Sequence, residues 1–429
     1  MPIDPRRPIP SRLFAACAAI LGLACLGLAC VLGAGSAHTR TVLRMAFVEA
    51  STDLAQRFGP AEAGARVTLG PGGADVRVAG DLMDGVAQQV ADVLAAHRAV
   101  RRIHLTSGGG LVEEGLALGA LIAARNLDTY VPDECASACT LAFVRGRGRY
   151  LGASGRLGFH APYEAGLFGQ AFAVDAEPER AAYRAAGLAA DFTAEALAVA
   201  SDDIWMPDAA RLIRAGAVTE VVETDRFPDS TLDDDDGPSA ARGQVLRNLP
   251  VLAQADPAAV DRIAAWYRDG YQDGRSEAEA LDGMRARAGA HLRGLFRRSD
   301  AATLRALGHA TLSAMRAAEA SDPAACAAMA GGDLVATDEA LRQARHPVPS
   351  LPALVAQAWR QAAAAAGDPR DAAGDDLRPR PHARRPAARC GARIAALRQA
   401  LDGWGRDAAR LRALLLDDAP NAVAEIAVP

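Results

Sequence analysis

The order of apolar patterns from Arg66 to Phe143 constrains the fold of this chain more than any other feature. "RVTLGPGGADVRVAGDL" reads as short strands broken by Gly/Pro turns. "DGVAQQVADVLAAHRA" then places Val86, Val90, Val93 and Leu94 at helical spacing. "VRRIHLTS" is a strand ended by three glycines, and "LVEEGLALGALIAARN" is a second helix opening with acidic residues at its positive end. "LDTYVPD" is the next strand, and "SACTLAFVRG" continues as a helix. Strands and helices alternating in this way predict a parallel α/β sheet.

The pattern changes downstream. "GRYLGASGRLGFHAP" reads as two short strands, residues from about Glu177 to Ala200 as helix, and "DDIWMPDAARLIRAGAVTEVV" as a short helix and a closing strand. Residues 65–225 are thus expected to form one α/β domain. "RFPDSTLDDDDGPSAARGQ" (226–244), with four consecutive aspartates, reads as a solvated linker; it lacks the spaced ligands and turn glycine of a calcium loop. Residues 245–429 read as all-helical, with Asp256 as an N-cap before Pro257 and one last long helix at Ala392–Leu416.

The first 37 residues are different again. Arg6, Arg7 and Arg12 precede an uncharged run from Leu13 to Ala37, in which Leu13–Ala34 is long enough to span a bilayer. "AGSA" also offers a cleavage site after Ala37. A signal-anchor and a cleaved signal peptide both put the remainder outside the cytoplasm, since the positive charges stay inside. The expectation is a bacterial inner-membrane protein, single-pass, with periplasmic domains, or a periplasmic protein if the signal is removed. Residues 38–64 are transitional.

Composition removes several chemistries. All 47 basic residues are arginine, so no Ser–Lys dyad, Schiff base or P-loop lysine can exist here. A net charge of −5 without basic clustering gives no nucleic-acid footprint. No paired Cys–His motif suggests a metal, and no cofactor signature is present. Outside the apolar segment four cysteines remain. Cys326 and Cys390, in one region and an oxidising compartment, are the expected disulfide. Cys135 and Cys139 are four apart, awkward for a bridge if both are helical, and read as small buried packing residues.

Three features can carry chemistry. A Gly-rich turn, Gly108–Gly110, ends a strand where backbone N–H groups can approach a ligand. Ser137 stands at another strand-to-helix junction. His160, in "LGFHAP", follows a predicted strand. Acyl transfer to serine needs a nucleophile, a base and N–H donors aimed at the oxyanion, and these three features supply them.

The stretch "TSGGGLVEEGLALGALI…CASACTLAFVRGRGRYLGASGRLGFHAP" resembles the proteolytic subunit of Clp protease and the wider ClpP/crotonase superfamily, most closely its periplasmic ClpP-like proteins. The resemblance covers about Val67–Val222. It implies a ClpP/crotonase-like parallel-sheet domain followed by a mainly helical C-terminal domain. It implies Ser137 as nucleophile, His160 as base, and Asp203 or Asp202 as the third member. It implies oxyanion N–H groups from Gly109 or Gly110 and from Ala138. Gly108 stands where the family has proline, and Ala138 where it has methionine.

The function this implies is an extracytoplasmic serine peptidase acting on a peptide or protein through an acyl-enzyme. Self-association follows by analogy; a cytoplasmic ATPase partner is not expected. The competing expectation is a non-catalytic, membrane-anchored envelope scaffold, which a Cys135–Cys139 bridge would favour. Crotonase chemistry on acyl-CoA is a third, with neither the compartment nor an adenine-binding signature in its favour.

Overall fold

A computed structural model describes residues 46–48, 64–165, 171–344, 350–366, 390–403 and 408–416. The expected membrane or signal segment, residues 1–37, lies outside them. Among the described residues no helix is long and apolar enough to cross a membrane.

The elements follow one another as β1 (Arg66–Leu69), β2 (Asp75–Ala79), α1 (Val86–Ala96), β3 (Arg102–Thr106), α2 (Val112–Ala124), β4 (Asp128–Val131), β5 (Glu134–Ala136), α3 (Ala138–Phe143), β6 (Arg149–Gly152) and β7 (Arg156–Gly158). Then come β8 (Tyr163–Ala165), β9 (Ala171–Ala173), α4 (Glu177–Ala185), α5 (Ala190–Ala196), α6 (Ala209–Arg214) and β10 (Glu220–Val222). The remainder is helical: α7 (Pro238–Asn248), α8 (Pro257–Gln272), α9 (Glu277–Arg297), α10 (Ala301–Ser321), α11 (Pro323–Ala330), α12 (Leu334–Ala344), α13 (Leu351–Ala366), α14 (Cys390–Asp402) and α15 (Ala408–Leu416). The protein is therefore a mixed α/β chain with a parallel sheet and many helices. The described residues divide into two compact units, one of 64–156 and 217–416, the other of 157–216. This division runs through the single 65–225 domain that the sequence suggested.

In the first unit a six-stranded sheet has the order β1-β2-β3-β4-β6-β10. β1 pairs antiparallel with β2; the other neighbours are parallel. Every residue of β2 is buried, as parallel strands covered on both faces require. α2 lies close on α3 because Gly115 and Gly119 have no side chain: a Cβ at Gly115 would stand 2.3 Å from the Ala138 carbonyl oxygen. Glu114 does more than favour its own helix. Its carboxylate accepts from Gly85 N and Ala87 N at 3.1 and 2.8 Å, capping α1.

The stretch expected to be a solvated linker is not one. Asp233 is 3% exposed and Asp229 2%. Arg77, in the middle of β2 and 1% exposed, donates to Asp233 Oδ1 at 2.7 Å, to the Asp229 carbonyl at 2.6 Å and to Asp75 Oδ2 at 3.1 Å. Tyr271 of α8 donates to the same Asp233 oxygen at 2.7 Å. A guanidinium buried in a sheet needs carboxylates, and the acidic run supplies one. Beside it, His104 of β3 accepts from Arg102 Nε on Nε2 and therefore donates from Nδ1 to Ser230 Oγ. Burial, with Arg102 and Arg77 nearby, holds His104 well below the usual histidine pKa. It is a neutral core group.

The helices α7–α15 share one apolar core that runs from Leu232 to Leu416. Asp256 Oδ1 caps α8 through Ala258 N, with Pro257 in the first turn. Ser276 and Glu279 form a capping box on α9, and Asp300 caps α10. Cys326 of α11 is bonded to Cys390 of α14. The last long helix expected from the sequence is described as two, α14 and α15, with 404–407 between them outside the description.

In the second unit Phe159, Phe192, Tyr183 and Trp205 make an aromatic core of edge and tilted contacts. The helix expected through Glu177–Ala200 is two helices, because Gly187 takes φ +80° and ends the first.

Candidate active site

The turn that carries Ser137 is built from β3 outward. Past its last strand residue, β3 continues to Ser107, which pairs with Cys135 of β5: Ser107 N donates to the Glu134 carbonyl and Ala136 N to the Ser107 carbonyl, at 3.0 and 2.9 Å. The chain leaving Ser107 must then turn toward α2 while the chain leaving Ala136 turns into α3. The two turns meet.

Ser137 takes φ +53° and ψ −128°. An L-residue there stores ~1–3 kcal/mol of strain and persists only where its surroundings over-determine it. Here they do. The Ser137 carbonyl accepts from Thr140 N at 3.0 Å and Thr140 Oγ1 at 2.7 Å. Gly109, at φ +122°, packs so tightly that a Cβ on it would lie 2.6 Å from Ser137 Cβ and 3.2 Å from Ser137 Oγ. Ser137 itself is half-buried, and among the described residues its hydroxyl makes no hydrogen bond. A polar group left unspent on a strained turn is available for work.

The N–H groups near it differ. Gly109 N donates to Ser107 Oγ at 3.2 Å, so that N–H is engaged in holding the turn. Gly110 pairs with Leu82 through its neighbours: Gly109 O accepts from Leu82 N and Leu111 N donates to Leu82 O. Gly110 N is not spent in that bridge. Ala138 N opens α3, where helical N–H groups have no intrahelical acceptor. Among the described residues neither the Gly110 nor the Ala138 N–H has an acceptor outside its own element. α3 has only six residues, so its dipole contributes less than a long helix would.

Cys135 and Cys139 are not merely packed: they are bonded, with Cα atoms 5.4 Å apart. The expectation of simple packing failed because it treated both as helical. Cys135 lies in β5 and Cys139 in α3, and the change of backbone at Ser137 brings their Cα atoms within bridging distance.

His160 belongs to the other unit. It follows Phe159, whose N and O exchange hydrogen bonds with Trp205 at 2.9 Å. Its Nδ1 lies 2.8 Å from the Ala161 carbonyl oxygen. A carbonyl only accepts, so the neutral ring carries its proton on Nδ1 and leaves Nε2 as the basic nitrogen. Tyr163 lies beside the ring, at 5.8 Å between centroids.

Asp203 and Asp202 are both exposed, and Asp203 Oδ1 accepts from Ile204 N at 2.8 Å. Neither is bonded to His160, whose Nδ1 is held by the Ala161 carbonyl. The structure thus gives neither expected aspartate a bond to the ring; a backbone oxygen, which has no sequence signature, holds it. Ser107 and Thr140, which hold the serine turn, were also not singled out from sequence. No group of three or more histidine, cysteine, aspartate or glutamate side chains arranged for a metal occurs among the described residues.

Fold and turn together define an α/β protein with a parallel sheet and a serine on a strained strand-to-helix junction. No protein-family model matches the chain. No curated protein matches it. Among solved structures it is similar to ClpP1 from Listeria monocytogenes, at 18% identity and a TM-score of 0.29, over 35% of this chain and 91% of that one. It is similar also to a mutant of that protein, at 19% identity and a TM-score of 0.28, with the same coverage. Likeness at this level says nothing of activity.

Proposed function

We propose that this chain is an extracytoplasmic serine hydrolase that cleaves peptide or protein substrates through an acyl-enzyme. The observation that carries the reading is Ser137: a strained backbone, locked by Gly109, presenting a hydroxyl that makes no hydrogen bond among the described residues. In the reaction Ser137 Oγ attacks the substrate carbonyl as its proton passes to a base. The N–H groups of Gly110 and Ala138 receive the oxyanion. The proton passes to the leaving amine, and water then releases the acid by the same steps in reverse order. With arginine as the only cationic side chain besides histidine, His160 is the base that the sequence resemblance supports.

The N-terminal apolar run supports placement at the bacterial inner membrane with the rest periplasmic, or in the periplasm after cleavage. Fusion of alkaline phosphatase at the C-terminus would be active there and inactive if the chain were cytoplasmic. Self-association is proposed by analogy and is read by light scattering.

Exposure of the purified protein to a fluorophosphonate probe tests the chemistry. Labelling of the wild type and not of Ser137→Ala supports it; equal labelling of both rejects it. One observation favours the second reading, a non-catalytic envelope scaffold: the Cys135–Cys139 bridge gives the turn a structural purpose of its own. That bridge leaves the serine hydroxyl without a hydrogen bond among the described residues, and for this reason the hydrolase reading is preferred.

A further inference from the structure

The bridge between Cys135 and Cys139 closes a ring around Ala136, Ser137 and Ala138. Cys135 and Cys139 are 0% exposed, and Ala136 and Ala138 2%. Ser137 is the one residue of the ring that reaches solvent. The ring therefore spans the point where extended backbone becomes helical, and it spans the only positive φ between β5 and α3.

We propose that Cys135 and Cys139 are positioning residues, whose disulfide clamps the strand-to-helix turn in the conformation that presents the Ser137 hydroxyl, so that the nucleophile is competent only after oxidation. The proposal rests on the serine-hydrolase reading and adds its regulation. Other restraints on the turn are the Ser107–Cys135 pairing, the bonds from Thr140 to the Ser137 carbonyl and the packing of Gly109 against Ser137. They fix the two sides of the turn. The bridge fixes the sides to each other, which opposes relaxation of Ser137 to a negative φ. A reducing dithiol would break the Sγ–Sγ bond, supply two electrons and two protons to give two thiols, and leave as its own disulfide. Buried sulfurs meet such a reductant only when the turn opens. The bond is thus set as the protein folds in an oxidising compartment, and the same chain retained in a reducing one would stay silent.

The test uses the full-length protein and two double variants, Cys135→Ala/Cys139→Ala and Cys135→Ser/Cys139→Ser. Three quantities are read: the rate of fluorophosphonate labelling, its pH profile, and the ¹³Cα and ¹³Cβ shifts of Ser137 in serine-labelled protein, assigned by their loss in Ser137→Ala. Expected is labelling at least tenfold slower in both variants, the midpoint of the pH profile unchanged because the base is untouched, and displaced Ser137 shifts. Labelling within twofold of wild type with unmoved shifts overturns the proposal. If the oxidised wild type does not label at all, the hydrolase reading falls, and the shifts still decide the clamp: displaced they uphold it, unmoved they remove it. Should circular dichroism show that the variants do not fold, dithiol reduction of the unmutated protein gives the same answer. Loss of labelling should then track alkylation of Cys135 and Cys139; loss that tracks Cys326 and Cys390 instead overturns the proposal.

Discussion

Replacing Gly109 by alanine tests the construction of the serine turn more sharply than replacing the serine. The substitution asks an L-residue to hold φ +122°, and it drives a methyl to 2.6 Å from Ser137 Cβ and 3.1 Å from the Ala136 carbonyl oxygen. Ordinary contacts begin near 3.4 Å. The backbone strain is worth ~1–3 kcal/mol and the overpacking as much again, so the loss of stability is about 2–6 kcal/mol. Gly73→Ala is the control. Gly73 also has a positive φ, +69°, but nothing lies within 4 Å of a Cβ there. That variant bears the backbone term alone, ~1–2 kcal/mol. Urea denaturation at neutral pH measures both. Where Gly109→Ala still folds, Ser137 must move, and fluorophosphonate labelling should fall at least tenfold while Gly73→Ala labels normally. If Gly109→Ala proves no less stable than Gly73→Ala and labels at the wild-type rate, Gly109 does not lock the serine and the account of the turn is refuted.

Ser137→Gly should be more stable than Ser137→Ala by ~1 kcal/mol in thermal or urea unfolding, since glycine accepts φ +53° without strain; equal stabilities would deny the strain. Asp233 has its pKa pushed up from 3.8 to about 6, first by burial, against the pull of Arg77. The folded protein then holds that proton more tightly than the unfolded chain, so the contribution to stability is present below about pH 4 and is lost as pH rises through 6. The stability of wild type relative to Asp233→Asn should therefore rise between pH 7.5 and pH 4, by at most ~3 kcal/mol, and a flat difference in urea titrations would exclude it. Cys326→Ala/Cys390→Ala opens a link between residues 64 apart and should cost about 4 kcal/mol in the same assay. Ser276→Ala should cost ~1 kcal/mol through its capping box on α9, read as a lowered urea midpoint.

The alternation of strand and helix was legible because parallel strands and amphipathic helices leave different periods in the sequence. The glycine turn and Ser137 were legible for a related reason: strand-to-helix junctions are punctuated by small residues. Apart from the Cys326–Cys390 bridge, what escaped the sequence were features that depend on two segments meeting. Cys135 and Cys139, four apart, resemble one turn of helix, and nothing local says that the backbone changes type between them. A run of aspartates resembles solvated linker, and only the lone arginine inside "DVRVA" hinted that the sheet needed a carboxylate. The partner of the His160 Nδ1 proton is a main-chain oxygen, which any residue could provide, so a search for an aspartate was bound to look in the wrong place.

The seating of Asp233 on Arg77 bears on how the gene can be divided. A cut through the acidic stretch, natural for anyone isolating the helices, would take Asp233 from Arg77 and leave Asp75 as the carboxylate still bonded to the buried guanidinium. Each fragment would be expected to precipitate or be degraded, and the two should be recoverable only when they are made as one polypeptide or expressed together.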